Sequence, residues 1–334
     1  METPRNAPKI RLDTPAGKPR HGRSVAIVAL SLALAVGGVL FALADRYLIP
    51  HVEASVVSPT ITASVTGPSA SAAATQPATG AVTRTASLYA SDDIRIGITK
   101  VETGSGSSKV TYFVADVEVS DISLLLSAFA NDTFGRNIIQ YTSDIAASHD
   151  ALFAINGDYF GFRSDGIEIR NGILYRNEPA RTGAVIYKDG TLAFYDETAV
   201  SADTLLADGA LQTFSFGPVL VQDGIAATDF TGFRVDRNVG NASNITSANP
   251  RTGLGMISAN HFVFVVVDGR SSGYSKGVTL AEFARIFTDL GCTQAYNLDG
   301  GGSSTLYFQG AVVNNPLGRN QERGVSDILY IAEE

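Results

Sequence analysis

Residues 262–304 read FVFVVVDGRSSGYSKGVTLAEFARIFTDLGCTQAYNLDGGGSS, an apolar run ending in Asp268, a helical segment, and a second short apolar run ending in Asp299. Thr279-Leu280-Ala281-Glu282 is a capping box, in which hydroxyl and carboxylate satisfy orphan amide groups reciprocally. Leu280, Phe283, Ala284, Phe287 and Leu290 then recur at helical spacing, and Gly291 ends the run. A strand–helix–strand unit of this length favours parallel neighbouring strands. Both acids would then open onto one sheet edge.

Behind Asp299 stand Gly300, Gly301 and Gly302, then Ser303 and Ser304. Consecutive glycines are entropically costly, so such a loop marks a sharp turn or a backbone that a ligand must approach closely. An acid in front of it points to chemistry on an anionic or hydroxyl-rich substrate. The alternative is an Asp that caps its own turn.

Strand signals dominate the region around this unit. Residues 94–98 and 111–119 carry β-formers on either side of a turn at 104–108. A short helix over 143–148 leads into a strand at 151–155. Segments 183–187 and 191–195 form a hairpin through Lys188-Asp189-Gly190, and 254–258 and 262–267 form another around Ala259-Asn260. The expected fold over 89–334 is α+β: a β-rich single catalytic domain with few helices packed on a mixed sheet.

The N-terminal part has a different character. Residues 24–44, SVAIVALSLALAVGGVLFALA, contain no charge and are long enough for a helix to cross a bilayer. Six Lys and Arg side chains precede them against Glu2 and Asp13. The expectation is therefore a cytoplasmic basic tail over 1–23, a single-pass anchor over 24–49, and a catalytic domain outside the cell. A cleaved signal peptide is the rival, with Ala42-Leu43-Ala44 resembling a cleavage site. Residues 50–88, rich in Ser, Thr, Ala and Pro, offer no periodic apolar face and read as a disordered stalk. The whole chain carries a net charge of −8 despite its basic head, which argues against nucleic acid as a partner. The single cysteine, Cys292, excludes an intramolecular disulfide and reads as a buried, inert thiol. His21, His51, His149 and His261 show no metal-ligand spacing.

Four further segments precede or join the glycine loop: Ala154-Ile155-Asn156-Gly157-Asp158-Tyr159-Phe160-Gly161, Phe216-Gly217-Pro218-Val219-Leu220, Asn249-Pro250-Arg251-Thr252-Gly253 and Val267-Asp268-Gly269-Arg270. In this order the set resembles the phosphodiester glycosidase family over roughly residues 90–332. The resemblance implies a hydrolase that cuts the glycosidic C–O bond of sugar 1-phosphodiesters. It also implies that the segments at 156–160, 249–252 and 299–303 line the active site. The family's animal member removes N-acetylglucosamine from a phosphodiester on mannose. Its disulfide-rich extra modules and C-terminal span have no counterpart here, and Asp158 stands where family members often carry a small or hydroxyl residue. The expected substrate is a glycosyl phosphodiester in a surface polysaccharide or teichoic-type polymer. A non-catalytic polysaccharide-binding module and a phosphodiesterase breaking the P–O bond are the alternatives.

Such hydrolysis requires a carboxylate to activate water and donors to take the charge of the departing phosphate. Asp299 is the expected base, with Asp158 and Asp268 as further catalytic acids. Arg251 is the expected phosphate clamp, since a guanidinium matches phosphate bidentately. Asn156, Gly157, Asn249, Thr252, Arg270, Gly300, Gly301, Gly302 and Ser303 are the expected substrate contacts. The aromatic pair Tyr159-Phe160 reads as core filling or as a sugar platform. No cofactor is expected, although Asp268 with Asp299 could offer oxygen ligands to calcium or magnesium.

Overall fold

The computed structural model describes residues 21–56, 82–233 and 246–333. The chain divides into two compact units, Met1–Ile49 and Pro50–Glu334. In the first, His21–Tyr47 forms one α-helix, with side chains described over 29–45; Leu30, Leu34, Leu40 and Phe41 among them are exposed. Among the described residues no helix is long and apolar enough to cross a membrane. The expected basic tail falls almost wholly outside the described residues, as does the stalk over 57–81. The ends of the expected stalk are ordered in sheet. His51–Ser55 pairs with Thr133–Arg136, and Thr83–Thr85 and Leu88–Ala90 join the main sheet as short edge strands.

The second unit is built on a nine-stranded and a five-stranded sheet, with three-stranded and two-stranded sheets beside them. At the centre of the larger sheet lie, in spatial order, Gln294–Leu298, Arg251–Ser258, His261–Val267, Val110–Val119 and Ile94–Thr103. The smaller sheet runs Ala311–Val312, Leu306–Phe308, Ala151–Asn156, Asp327–Ala332, Leu126–Phe129.

The His261–Val267 strand shows why these layers form. Its side chains alternate with period two. Phe262, Phe264 and Val266 enter a core shared with Leu152, Phe153 and Leu329 of the smaller sheet. Val263, Val265 and Val267 face the other way, onto Leu280, Phe283 and Phe287 of the Leu280–Asp289 helix. That helix starts at Thr279 with the expected capping box and ends before Gly291 at φ +83°. On the far face of the smaller sheet, Ile145 and Ala146 of the Thr142–Ser148 helix cover Ala154, Ile328 and Tyr330. The order is therefore helix, sheet, sheet, helix.

Two expectations about the sheet are corrected. Every ladder among the described residues is antiparallel, so the sheet is not mixed. Nor are the two acid-bearing strands neighbours. The Arg251–Ser258 strand lies between them, antiparallel to both, which leaves them running in the same direction one strand apart. A continuous apolar strand signals burial on both faces, and central antiparallel strands under a helix layer meet that condition as well as parallel ones.

Candidate active site

Register alone brings the expected motifs together. Arg251 pairs with Val267 and Thr252 with Leu298, so the start of one strand sits between the ends of the two that deliver Asp268 and Asp299. The smaller sheet contributes Asn156, the last residue of Ala151–Asn156, paired with Ile328.

Asn156 joins the two sheets. Its Nδ2 donates to the Asp299 carbonyl at 2.7 Å and to the Gly157 carbonyl at 3.2 Å. Its Oδ1 accepts from the Thr252 hydroxyl at 2.8 Å and the Thr305 amide at 3.2 Å. Both amide protons and both lone pairs are used, so Asn156 and Thr252 brace the site from within. Gly157 is required by packing: a Cβ there would fall 2.3 Å from Oδ1 of Asp327.

Asp299 is 7% exposed. Its Oδ2 accepts from the Ser303 hydroxyl at 2.5 Å and from Arg323 Nη2 at 3.1 Å. Burial raises its pKa above the ordinary carboxylate value, with Arg323 and Ser303 opposing the rise. Ser303 is buried and serves Asp299, while Arg323 also reaches the Ser303 hydroxyl at 2.5 Å. Nothing in the sequence around Arg323 signalled this role. Its lone arginine follows the glycine loop by twenty residues, and only the loop's turn back onto it reveals the pairing.

The glycine loop is a tight 3-10 turn over Gly301–Ser303 with Gly301 at φ +64°. Two of its amides are already used, Gly301 on the Pro250 carbonyl at 2.9 Å and Ser303 on the Gly300 carbonyl at 3.2 Å. Its glycines also permit close neighbours. A Cβ on Gly300 would fall 2.9 Å from the Pro250 carbonyl, one on Gly301 3.2 Å from Arg270 Nη2, and one on Gly302 3.1 Å from Arg323 Cδ. Guanidinium groups thus flank the loop on two sides.

Arg251 lies just beneath, buried, donating to the carbonyls of Val278 at 3.2 Å and Ser247 at 2.8 Å. Burial and the nearby Arg270 cation push its pKa down to about 10. Arg270, at φ +57°, is held by Asn249 Oδ1 at 3.0 Å, so Asn249 orients a guanidinium.

The other two acids differ from Asp299. Asp158 accepts from the Ser215 amide at 2.6 Å, from Arg163 at 2.9 Å and from the amide of Tyr159, and its side chain is wholly buried. Burial would raise its pKa, but Arg163, Arg170 and these amides hold it lowered. Asp268 accepts from Asn314 at 2.8 Å on Oδ1, and from Tyr274 at 2.8 Å and the Asn315 amide at 2.9 Å on Oδ2. Both accept hydrogen bonds from neighbouring side chains and amides on both oxygens, whereas the side-chain partners of Asp299 named above fall on Oδ2. Among the described residues, the His and acid group with donor atoms within 4.8 Å of one another is Asp116, Glu118 and His261, at the other end of the His261–Val267 strand. Phe160 is core, stacked on Phe134 at 4.9 Å, whereas Tyr159 is half-buried against Phe162. Cys292 is buried and its thiol pushed up to about 12 by burial and Asp116, as expected of an inert cysteine.

Beneath Gly157 runs an ion network that no sequence spacing announced. Fully buried Arg170 bridges Glu168 at 3.1 Å and Asp327 at 3.0 Å and lies over the rings of Phe160 and Phe214. Asp327 in turn accepts from the Asp158 amide at 3.0 Å. Burial raises Asp327 to about 6 and Glu168 to about 8.

Comparison with known proteins agrees with this geometry. Residues 149–332 match the phosphodiester glycosidase family model. Over 208 residues the chain is 35% identical to the SPbeta prophage-derived uncharacterized protein YomE of Bacillus subtilis strain 168, which covers 60% of this chain and 30% of that protein. The catalytic domain of zebrafish N-acetylglucosamine-1-phosphodiester alpha-N-acetylglucosaminidase, auto-inhibited by its pro-peptide, is similar in fold. The TM-score is 0.57 at 22% identity, over 73% of this chain and 85% of that one. A hypothetical protein from Synechocystis shares the fold with a TM-score of 0.52 at 14% identity, over 72% and 62% of the two chains.

Proposed function

The chain belongs to the phosphodiester glycosidase family of hydrolases, and from that premise we propose that it cuts the glycosidic C–O bond of sugar 1-phosphodiesters. The observation that carries the reading is Asp299 gripped on one oxygen by Ser303 and Arg323, beside a glycine loop flanked by Arg251, Arg270 and Arg323. A carboxylate of raised pKa is a better base than an ordinary one. Asp299 takes a proton from water, the water oxygen bonds to the anomeric carbon, and the C–O bond breaks with its electron pair leaving on phosphate. The guanidinium groups stabilise that charge, and a phosphomonoester departs. Phosphate is a better leaving group than a sugar alcohol, so this route needs no second carboxylic acid in contact with the substrate. That suits a site where Asp158 and Asp268 are already committed.

The test is hydrolysis of an N-acetylglucosaminyl α-1-phosphodiester in ¹⁸O-water. Label on the sugar supports C–O cleavage. Label on phosphate overturns it in favour of a phosphodiesterase. Asp299→Asn should abolish turnover, and unchanged turnover would remove Asp299 from the mechanism.

The cellular setting rests on sequence alone. The uncharged run over 24–44, with cationic residues before it, supports a single-pass anchor that leaves the catalytic unit outside, acting on surface polysaccharide or teichoic-type polymers. Protease added to intact cells should then digest the catalytic unit. A protected unit would contradict this placement.

A further inference from the structure

The strand His51–Ser55 lies far upstream of the family-matched residues 149–332, yet its seat is built into the catalytic unit. It pairs antiparallel with Thr133–Arg136, and the Val56 amide extends the contact onto the Asp132 carbonyl at 2.9 Å. Gly135 is what admits it, since a Cβ there would collide with the His51 carbonyl. Ala54 and Val56 pack on the buried aromatic cluster of Phe129, Phe134 and Phe160.

The pairing skips one residue, Glu53, between Val52 opposite Gly135 and Ala54 opposite Phe134. A bulge of this kind re-aims a side chain. Glu53 accepts from Arg176 Nη2 at 3.2 Å on one oxygen and 3.3 Å on the other, and lies 3.8 Å from Arg136 Nε. Arg176 is buried over the rings of Phe134 and Phe160, where a guanidinium requires a counter-charge. Its Nη1 donates to the Phe160 carbonyl at 3.0 Å. A second line runs through the paired strand itself: Asn137, the next residue after Arg136, donates its amide to the Gly161 carbonyl at 2.8 Å. Both lines end on consecutive carbonyls of the turn Phe160–Phe162, which closes the segment that begins at Asn156. Asn156 in turn holds the Asp299 main chain at 2.7 Å.

We propose that residues 51–56 form a strap that holds the segment 156–160 in its working position, with Glu53 and Arg176 as positioning residues. The assignment rests on the hydrolase reading above and adds a means of control. A cut between residues 57 and 81 would leave the strap joined to the rest of the unit by these contacts alone, and activity would fall as the strap departs. In the full chain, Glu53→Lys sets a cation against Arg176 and Arg136, and Gly135→Ala closes the seat from the other side. Each should lower kcat for an N-acetylglucosaminyl α-1-phosphodiester about tenfold or more with KM little changed, because the base is displaced and no substrate contact is lost. Glu53→Gln, which keeps an acceptor oxygen, should lose less than about fivefold. Val52→Ala, at an exposed side chain of the same strand, should match the wild type. Hydrogen exchange of the amides over 157–162, followed by mass spectrometry, should quicken in Glu53→Lys and Gly135→Ala. Unchanged kcat in Glu53→Lys, or a rise in kcat, would overturn the strap. If the wild-type chain hydrolyses no diester, exchange decides the matter independently. Faster exchange in Glu53→Lys then upholds the strap while the hydrolase reading falls, and unchanged exchange removes both.

Discussion

The side-chain amide of Asn156 donates to the main-chain carbonyl of Asp299 at 2.7 Å, across 143 residues of sequence. That bond fixes the backbone bearing the proposed base to the end of the opposite sheet. The same amide also holds Thr252, next to Arg251. One buried side chain therefore sets the spacing between carboxylate and guanidinium.

Asn156→Leu should lower kcat far more than it raises KM, because it displaces the base without removing a substrate contact. It should also cost about 2–3 kcal/mol of stability through unsatisfied buried partners. Steady-state kinetics together with a denaturant titration check both. A change confined to KM would show that Asn156 touches substrate after all.

Arg323 opposes the burial that raises the Asp299 pKa. Arg323→Gln should therefore move the acidic limb of the kcat/KM profile to higher pH, since the base must be ionised to act. An unmoved limb with reduced activity would assign Arg323 to phosphate alone.

Arg251→Lys keeps the charge but loses the planar fork and its bonds to Val278 and Ser247. The expected result is a fall in kcat/KM of about 10²-fold, together with a loss of about 1–2 kcal/mol of stability from the carbonyls left unpaired. Full activity in the lysine variant would argue against bidentate recognition.

Glu168 carries a pKa raised from 4.5 to about 8 by burial and the neighbouring Asp158 charge. Between those values the folded chain holds a proton that the unfolded chain has lost, so Glu168 makes stability fall as pH rises through this window. Glu168→Gln should flatten that fall. Melting temperatures measured across the window, wild type against variant, would show it. Parallel curves would contradict the assignment.

Gly157→Ala places a methyl group 2.3 Å from Asp327 Oδ1, which the Asp158 amide holds while Arg170 holds Oδ2 of the same carboxylate. The cost should be about 3 kcal/mol or more, as for an overpacked core. Soluble protein with wild-type melting would require the network to be looser than these distances.

The glycine loop, the capping box, the hairpins and the arrival of Asp268 and Asp299 at one edge were legible because each is local or follows from strand ends. Strand order was not. An apolar run such as Phe262–Val267 reports burial on two faces but does not say which strand lies beside it. Side-chain partners were hidden for a related reason. Asp158, Asp268 and Asp299 look alike in sequence, and only their partners, Arg163 and Ser215, Asn314 and Tyr274, Ser303 and Arg323, tell them apart. Those partners lie from four to fifty-seven residues away. Arg323 and the Arg170 network stayed hidden because single arginines carry no periodicity.

The Asp327–Ala332 strand, the last of those described, does not sit on an edge. It lies between Leu126–Phe129 and Ala151–Asn156, directly after Arg323. During synthesis the smaller sheet must wait with an open seam until this segment emerges, and the carboxylate at 299 waits for its arginine. Assembly of the site therefore follows the closing of this seam and is dominated by contacts between distant parts of the chain. A ribosome-bound or clipped chain that lacks these residues should hold most of its secondary structure and hydrolyse nothing.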